Sequence, residues 1–329
     1  MDKKYYDNLI VSSSPHIVTG MDTQKTMLMV MLALCPSLVV SIFVFGARVI
    51  LMTAVGIASA MFWEWAWNKL MKRTQTVQDL SAALTGMLLA FNCPSGLPIW
   101  ILIVGTFVAV IVVKQLFGGI GKNITNPAIT ARIVLFISFA TEMTTWPTAK
   151  QSTVDAVTSA TPLGVLGGLT VADLPSADLP SNLQMFLGTI GGSFGEVSAI
   201  ALLIGGALLV WKKIISPIIP CCFIGTVFVF ALIYYTAEGC NVAFQMAIFH
   251  ILAGGVFLGA IFMATDYVTS PLLPLGKVIF GVGCGIMTMV IRLWGQYPEG
   301  VSFSILLMNC LTPLINSFCQ KRMYGGETK

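Results

Sequence analysis

The chain has 329 residues, 56% of them hydrophobic and 10% charged, with a mean hydropathy of +0.87. A soluble domain carries about 25% charged residues, so this composition excludes a water-soluble enzyme, a disordered protein and a nucleic-acid-binding domain. The formal net charge of +4 is small, and where each charge sits says more than their sum.

Residues 1–26 are polar, carry Lys3, Lys4, Asp7, Asp22 and Lys25, and lack the basic-then-apolar pattern of a cleaved signal peptide. They read as a cytoplasmic N-terminal segment. A membrane-crossing helix needs roughly 20 apolar residues. Spans are predicted near 27–46, 49–68, 78–92, 98–116, 128–141, 193–211, 215–236, 240–264, 276–294 and 300–319. The expected fold is an all-α polytopic membrane protein of about ten transmembrane helices. Basic residues orient it. With the N-terminus inside, fifteen fall on the cytoplasmic side, Lys114 and Arg132 among them, and only Arg48, Lys150 and Arg292 fall outside. That bias puts both termini, including the tail 321–329, in the cytoplasm.

Residues 27–141 and 193–320 then form two five-helix halves of opposite orientation, the inverted repeat that many transport proteins share. Leu84-Thr-Gly-Met-Leu-Leu-Ala-Phe-Asn-Cys-Pro94 and Leu258-Gly-Ala-Ile-Phe-Met-Ala-Thr-Asp-Tyr-Val-Thr-Ser-Pro271 echo each other as small-residue helices that break into polar, proline-containing turns. The third and fifth spans look short, which suits half-helices at a central site and equally suits close-packed glycine-rich spans. None of the eight cysteines forms a Cys-x-x-Cys pair. They read as small packing residues, although a metal shared with a partner subunit would need only one or two of them.

The single long connection, 142–192, is predicted outside and without regular structure of its own; loops of that length are usually functional or disordered. It contains Asp155-Ala-Val-Thr158-Ser159-Ala160-Thr161-Pro162, a carboxylate and three hydroxyls among small side chains. As bare residues this is a turn as readily as a site. The inner loop Phe117-Gly118-Gly119-Ile-Gly-Lys-Asn123-Ile-Thr-Asn126-Pro127 offers backbone freedom, two amides and an N-cap followed by proline. Such a turn suits the polar edge of a heterocycle, and helix capping explains it about as well. Ionisable residues within the membrane carry a functional default. Asp266, in the break after the eighth span, is the leading buried acid. Asp79 serves either as an acid or as a cap for its own helix, His250 as an interhelical hydrogen-bonding group, and Glu64, between Trp63 and Trp65, as a neighbour of an interfacial aromatic belt.

Five segments occur together in order: Ser12-Ser-Ser-Pro-His16, Lys114-Gln-Leu-Phe-Gly-Gly-Ile-Gly-Lys-Asn-Ile-Thr-Asn-Pro127, Thr158-Ser-Ala-Thr-Pro162, Ala264-Thr-Asp266 and Tyr297-Pro-Glu-Gly300. Through them the chain resembles the D subunits of Rnf ferredoxin:NAD oxidoreductase complexes, and it is similar to the B subunits of sodium-pumping NADH:quinone oxidoreductases. The resemblance covers nearly the whole chain. It implies an electron-transfer subunit of a Na⁺- or H⁺-translocating complex in the bacterial cytoplasmic membrane. It also implies FMN joined by a flavin transferase to Thr161 through a phosphoester, within a motif made here by Asp155, Thr158, Ser159, Ala160 and Thr161. A second, non-covalent flavin, riboflavin in the family, is expected between the helices, with Gly118, Gly119, Asn123 and Asn126 as its contributors. Acids linked to ion coupling map to Asp79 and Asp266, while Asn316 stands where some relatives carry an acid. Partner subunits, an external one bearing FMN and membrane ones bearing iron–sulfur clusters, would supply the remaining redox centres. The competing class is a secondary transporter with the same inverted repeat, and a nearer alternative is the quinone-reducing relative.

Overall fold

The computed structural model describes residues 22–147, 158–159, 161–166, 180–188, 192–295 and 300–320. Each predicted span coincides with a helix. Among the described residues, five helices are long and apolar enough to cross a membrane: α1 (Thr23–Phe45), α2 (Arg48–Leu70), α10 (Ile218–Ala237), α13 (Pro274–Trp294) and α14 (Val301–Cys319). Four are shorter apolar helices: α3 (Ser81–Phe91), α4 (Ile99–Gln115), α5 (Pro127–Ser138) and α9 (Ala199–Trp211). The remaining span is a pair, α11 (Ala243–Leu252) and α12 (Val256–Met263), bent by 58° at the intervening break. The protein is thus an all-α, multi-pass membrane protein.

The short and broken helices have local causes. Leu80 adopts a left-handed conformation, φ +58°, at the start of α3, so the preceding turn Val77–Asp79 cannot extend into it. At the other end Asn92 turns its amide back onto the Leu88 carbonyl (2.6 Å) just before Pro94. Every side chain of α3 except Leu84 and Thr85 is buried, as expected of a helix that is apolar all round. Between α11 and α12 the break falls at Gly254 and Gly255, both at positive φ, where a side chain would be strained. The second half of α4, Val108–Gln115, and most of α12, Gly259–Met263, are wound as π-helix, a feature frequent at functional sites.

Small residues bring the helices together, as membrane packing requires where apolar side chains gain little by leaving lipid. Gly281 and Gly285 of α13 lie against the Ile219 and Phe223 carbonyls of α10, and Gly56 of α2 faces the Gly86 carbonyl of α3. Polar groups tie segments far apart in sequence. Arg132 of α5 donates to Asn92 Oδ1 (3.2 Å) and to Ser302 Oγ of α14 (2.7 Å), while Ser37 and Ser41 of α1 donate to the Gly195 and Phe194 carbonyls.

Three expectations change. The long connection has structure of its own: α6 (Ala140–Thr144), a two-residue antiparallel ladder of β1 (Trp146–Pro147) and β2 (Thr158–Ser159), α7 (Pro162–Leu166) and α8 (Asn182–Leu187). Lys114 and Arg132, counted as cytoplasmic charges, are buried at 3% and 5% exposure and bonded within the protein, so neither is a free loop charge. Glu64 is likewise buried, at 1% exposure, and its side chain is paired with Lys114 inside the bundle rather than set on the surface.

Candidate functional site

A cavity of about 290 Å³ opens among α1, α3, the end of α4, the 120–128 turn and the segment after α12. Leu84, Thr85 and Leu88 line one wall from α3; Asn123, Asn126 and Lys114 line another; Thr265, Asp266 and Tyr267 close it. Three sequence-predicted residues, Asn123, Asn126 and Asp266, therefore converge on one space. Asn126 is the N-cap of α5, its Oδ1 accepting from Ala128 N (3.0 Å), with Pro127 at the first helical position. Its amide nitrogen donates to the Met263 carbonyl (3.1 Å), so one side chain both starts α5 and holds the end of α12. Asn123 donates to the Thr125 carbonyl (3.1 Å) and also hydrogen-bonds Asp266. Asp266 lies in the connection beyond α12 and accepts from Thr269 Oγ1 (3.0 Å). Burial pushes its carboxyl above the usual carboxylate range, against the opposing pull of its hydrogen bonds from Thr269, Val268, Asn123 and Tyr267.

Gly118 and Gly119 do not line the cavity. With φ of +114° and +97° they shape the turn that presents Asn123. Asp79 is half-buried in the turn before α3, off the cavity wall, and it does not cap α3. Asn316 accepts from Leu272 N (3.2 Å), a structural tie. His250 pairs with Tyr235 Oη (3.0 Å) across α10 and α11, the interhelical role expected of it.

Thr161 stands at a separate, smaller cleft of about 40 Å³ that Ser193, Glu196, Leu252 and Gly254 also line. It precedes α7 and its Oγ1 accepts from Gly164 N (3.0 Å). Thr158 and Ser159 lie in β2, paired with Pro147 and Trp146; Asp155 and Ala160 lie outside the described residues. The two sites are joined by one stretch of chain. Leu252–Gly254 border the Thr161 cleft, and Ile261–Val268 border the cavity.

Sequence reading missed a buried polar network behind the cavity. Lys114 Nζ lies 2.9 Å from Glu64 Oε1 and 2.8 Å from Ser81 Oγ. Glu64 Oε1 also accepts from Gln115 Nε2 (2.8 Å) and Thr76 Oγ1 (3.0 Å). The available signal was two opposite charges inside predicted spans, which are seldom tolerated in a membrane unless paired. Among the described residues, no group of three or more His, Cys, Asp or Glu is placed to hold a metal, and the described cysteines are free thiols.

The fold and cavity define a class: a polytopic α-helical membrane protein with a chiefly apolar chamber, bearing a few convergent polar groups, among short and broken helices. Residues 10–325 match the NQR2, RnfD, RnfE family, and the chain belongs to it. It is 46% identical over 321 residues to the D subunit of the Na⁺-translocating ferredoxin:NAD⁺ oxidoreductase complex of Acetobacterium woodii, covering 97% of this chain and 96% of the relative. It is 42% identical to the D subunit of the proton-translocating ferredoxin:NAD⁺ oxidoreductase complex of Clostridium ljungdahlii, covering 96% of each. With the D subunit of the ion-translocating oxidoreductase complex of Stutzerimonas stutzeri it shares 38% identity over 93% of each.

Proposed function

We propose that this chain is the flavin-carrying membrane electron-transfer subunit of an ion-translocating ferredoxin:NAD oxidoreductase complex, with FMN attached to Thr161 and a second, non-covalent flavin in the cavity. The observation that carries the reading is the convergence of Asn123, Asn126 and Asp266 on one chamber, linked through α12 to the Thr161 cleft. A flavin supplies one- and two-electron transfer, and the protein supplies its position and surroundings. The residues present suit that group. The chamber is chiefly apolar with a few convergent amides and hydroxyls, the usual make-up of a cofactor pocket. At the cleft, Gly192 leaves open space beside the half-exposed Thr161, whose hydroxyl would accept the phosphoester; Asp155, Thr158, Ser159 and Ala160 complete the motif a transferase would read.

Two half-helices support an inverted repeat. α3 and α12 each follow a residue in the left-handed region, Leu80 and Gly255, and each ends in a polar break, at Asn92 and Asp266. Asp266, and Asp79 at the start of α3, are the acids assigned to Na⁺ or H⁺ coupling. The other redox centres belong to partner subunits, including an external FMN protein and iron–sulfur membrane subunits. The protein would sit in the bacterial inner membrane with both termini cytoplasmic.

The test is flavin analysis of the complex co-produced with its transferase. A band fluorescent under ultraviolet light should follow this subunit on a denaturing gel and vanish in Thr161→Ala. Non-covalent flavin released by denaturation should be lost in Thr85→Trp, which fills the chamber. A dark wild-type band overturns the covalent assignment. Unchanged extractable flavin in Thr85→Trp overturns the second site and returns the chamber to the transporter reading.

A further inference from the structure

The Glu64–Lys114 pair is oriented. Lys114 lines the chamber, whereas Glu64 and its other two donors, Gln115 and Thr76, do not. Glu64 accepts all its hydrogen bonds, from Lys114, Gln115 and Thr76, through Oε1, while Oε2 is fully buried and has no hydrogen-bond partner among the described residues. A buried ion pair is poor evidence of stabilisation, because removing both charges from water costs as much as their attraction returns. Its retention within the membrane calls for a functional account.

We propose that Lys114 is the electrostatic partner of the ring bound in the chamber: its ammonium stabilises the negative charge the ring gains on reduction, and Glu64 is the positioning residue that holds it there. The inference rests on the reading that a non-covalent flavin occupies the chamber, and it adds a residue that sets how readily that flavin is reduced. Three observations carry it. Lys114 is the one cation among the described residues that line the chamber. It is fixed from two sides, by Glu64 at 2.9 Å and by Ser81 at 2.8 Å, so its head cannot withdraw toward water as an ordinary lysine does. It comes from the π-wound end of α4, whose extra residue per turn re-aims side chains relative to a regular helix. In a low-dielectric chamber a fixed charge acts far more strongly than in water, and charge near the ring is an established lever on flavin electronics. The near charge outweighs the far one, so the pair presents a positive end to the ring while remaining neutral as a whole.

The experiment is a spectroscopic redox titration of the intact complex, following the flavin component that Thr85→Trp removes. In Lys114→Met that component should become harder to reduce, its oxidised-to-reduced ratio at a fixed applied potential rising about tenfold, while the other centres titrate as in the wild type. Lys114→Arg should restore the wild-type midpoint. Should Lys114→Met leave Glu64 too costly to bury for the complex to assemble, Glu64→Gln/Lys114→Met removes both charges together and carries the same sign. Flavin present with an unchanged midpoint in the charge-free variants overturns the role of Lys114 and leaves the chamber's occupant standing. Absence of the component from the wild-type complex overturns the flavin reading itself, and the inference with it.

Discussion

Asn126 shows how much one residue can carry. Its oxygen caps α5 and its nitrogen holds the Met263 carbonyl, so Asn126→Ala should lower stability by about 1–2 kcal/mol. Asn126→Asp, which keeps the cap and loses the donor, should fall between the two in thermal unfolding of the detergent-solubilised complex. Equal unfolding temperatures for wild type and Asn126→Ala would show that neither bond matters to the fold. The cap was legible in the sequence because Asn-Pro before an apolar run is a local signal. The bond to Met263 was not, because nothing local marks a partner 137 positions away. The same distinction separates Asp266, legible as an acid in a polar break, from Glu64 and Lys114. Glu64 reads in the sequence as a neighbour of an interfacial aromatic belt and Lys114 as a cytoplasmic charge, whereas packing brings the two to 2.9 Å.

At the scale of the element, hydropathy located each membrane span, left the interruptions of those spans open and missed the short helices of the long connection. A window of apolar residues registers transfer free energy, which is indifferent to whether the run is straight, bent or π-wound. The 58° break between α11 and α12 depends on two residues at positive φ and on what surrounds them. A Cβ added at Gly255 would run into the Glu196 carboxylate, and φ of +71° is itself unfavourable for any other residue. Gly255→Ala should therefore cost about 1–3 kcal/mol, read as a lowered unfolding temperature. It should also disturb the Thr161 cleft, which the same break borders, so the covalent flavin band should weaken. Gly46, whose added Cβ would meet nothing within 4 Å, is the control: at φ +85° it carries the backbone cost alone. Unfolding curves for Gly255→Ala that match those of Gly46→Ala would remove the steric part of the argument.

Across the whole molecule, the sidedness inferred from charge needs a test independent of it, since Lys114 and Arg132 proved to be buried. Leu183 on α8 and Leu70 at the end of α2 are 66% and 73% exposed and lie on opposite sides in the proposed topology. In a background lacking the native cysteines, Leu183→Cys should react with a membrane-impermeant maleimide in intact spheroplasts. Leu70→Cys should react only after the membrane is opened. Labelling in the reverse order would invert the topology and place the Thr161 cleft on the cytoplasmic side.

By itself the sequence determined the class, the positions of the membrane spans, the cap at Asn126 and the break at Asp266. Each is a matter of composition or of neighbours within a few residues, and local chemistry suffices to read it. Only the tertiary structure decided that Asn123, Asn126 and Asp266 share one chamber, that Lys114 faces it with Glu64 behind, and that Thr161 lies at a different cleft. Those relations join residues dozens to more than a hundred positions apart. They arise because polar groups inside a membrane must find partners wherever packing offers them, and a linear sequence does not record which partners those are.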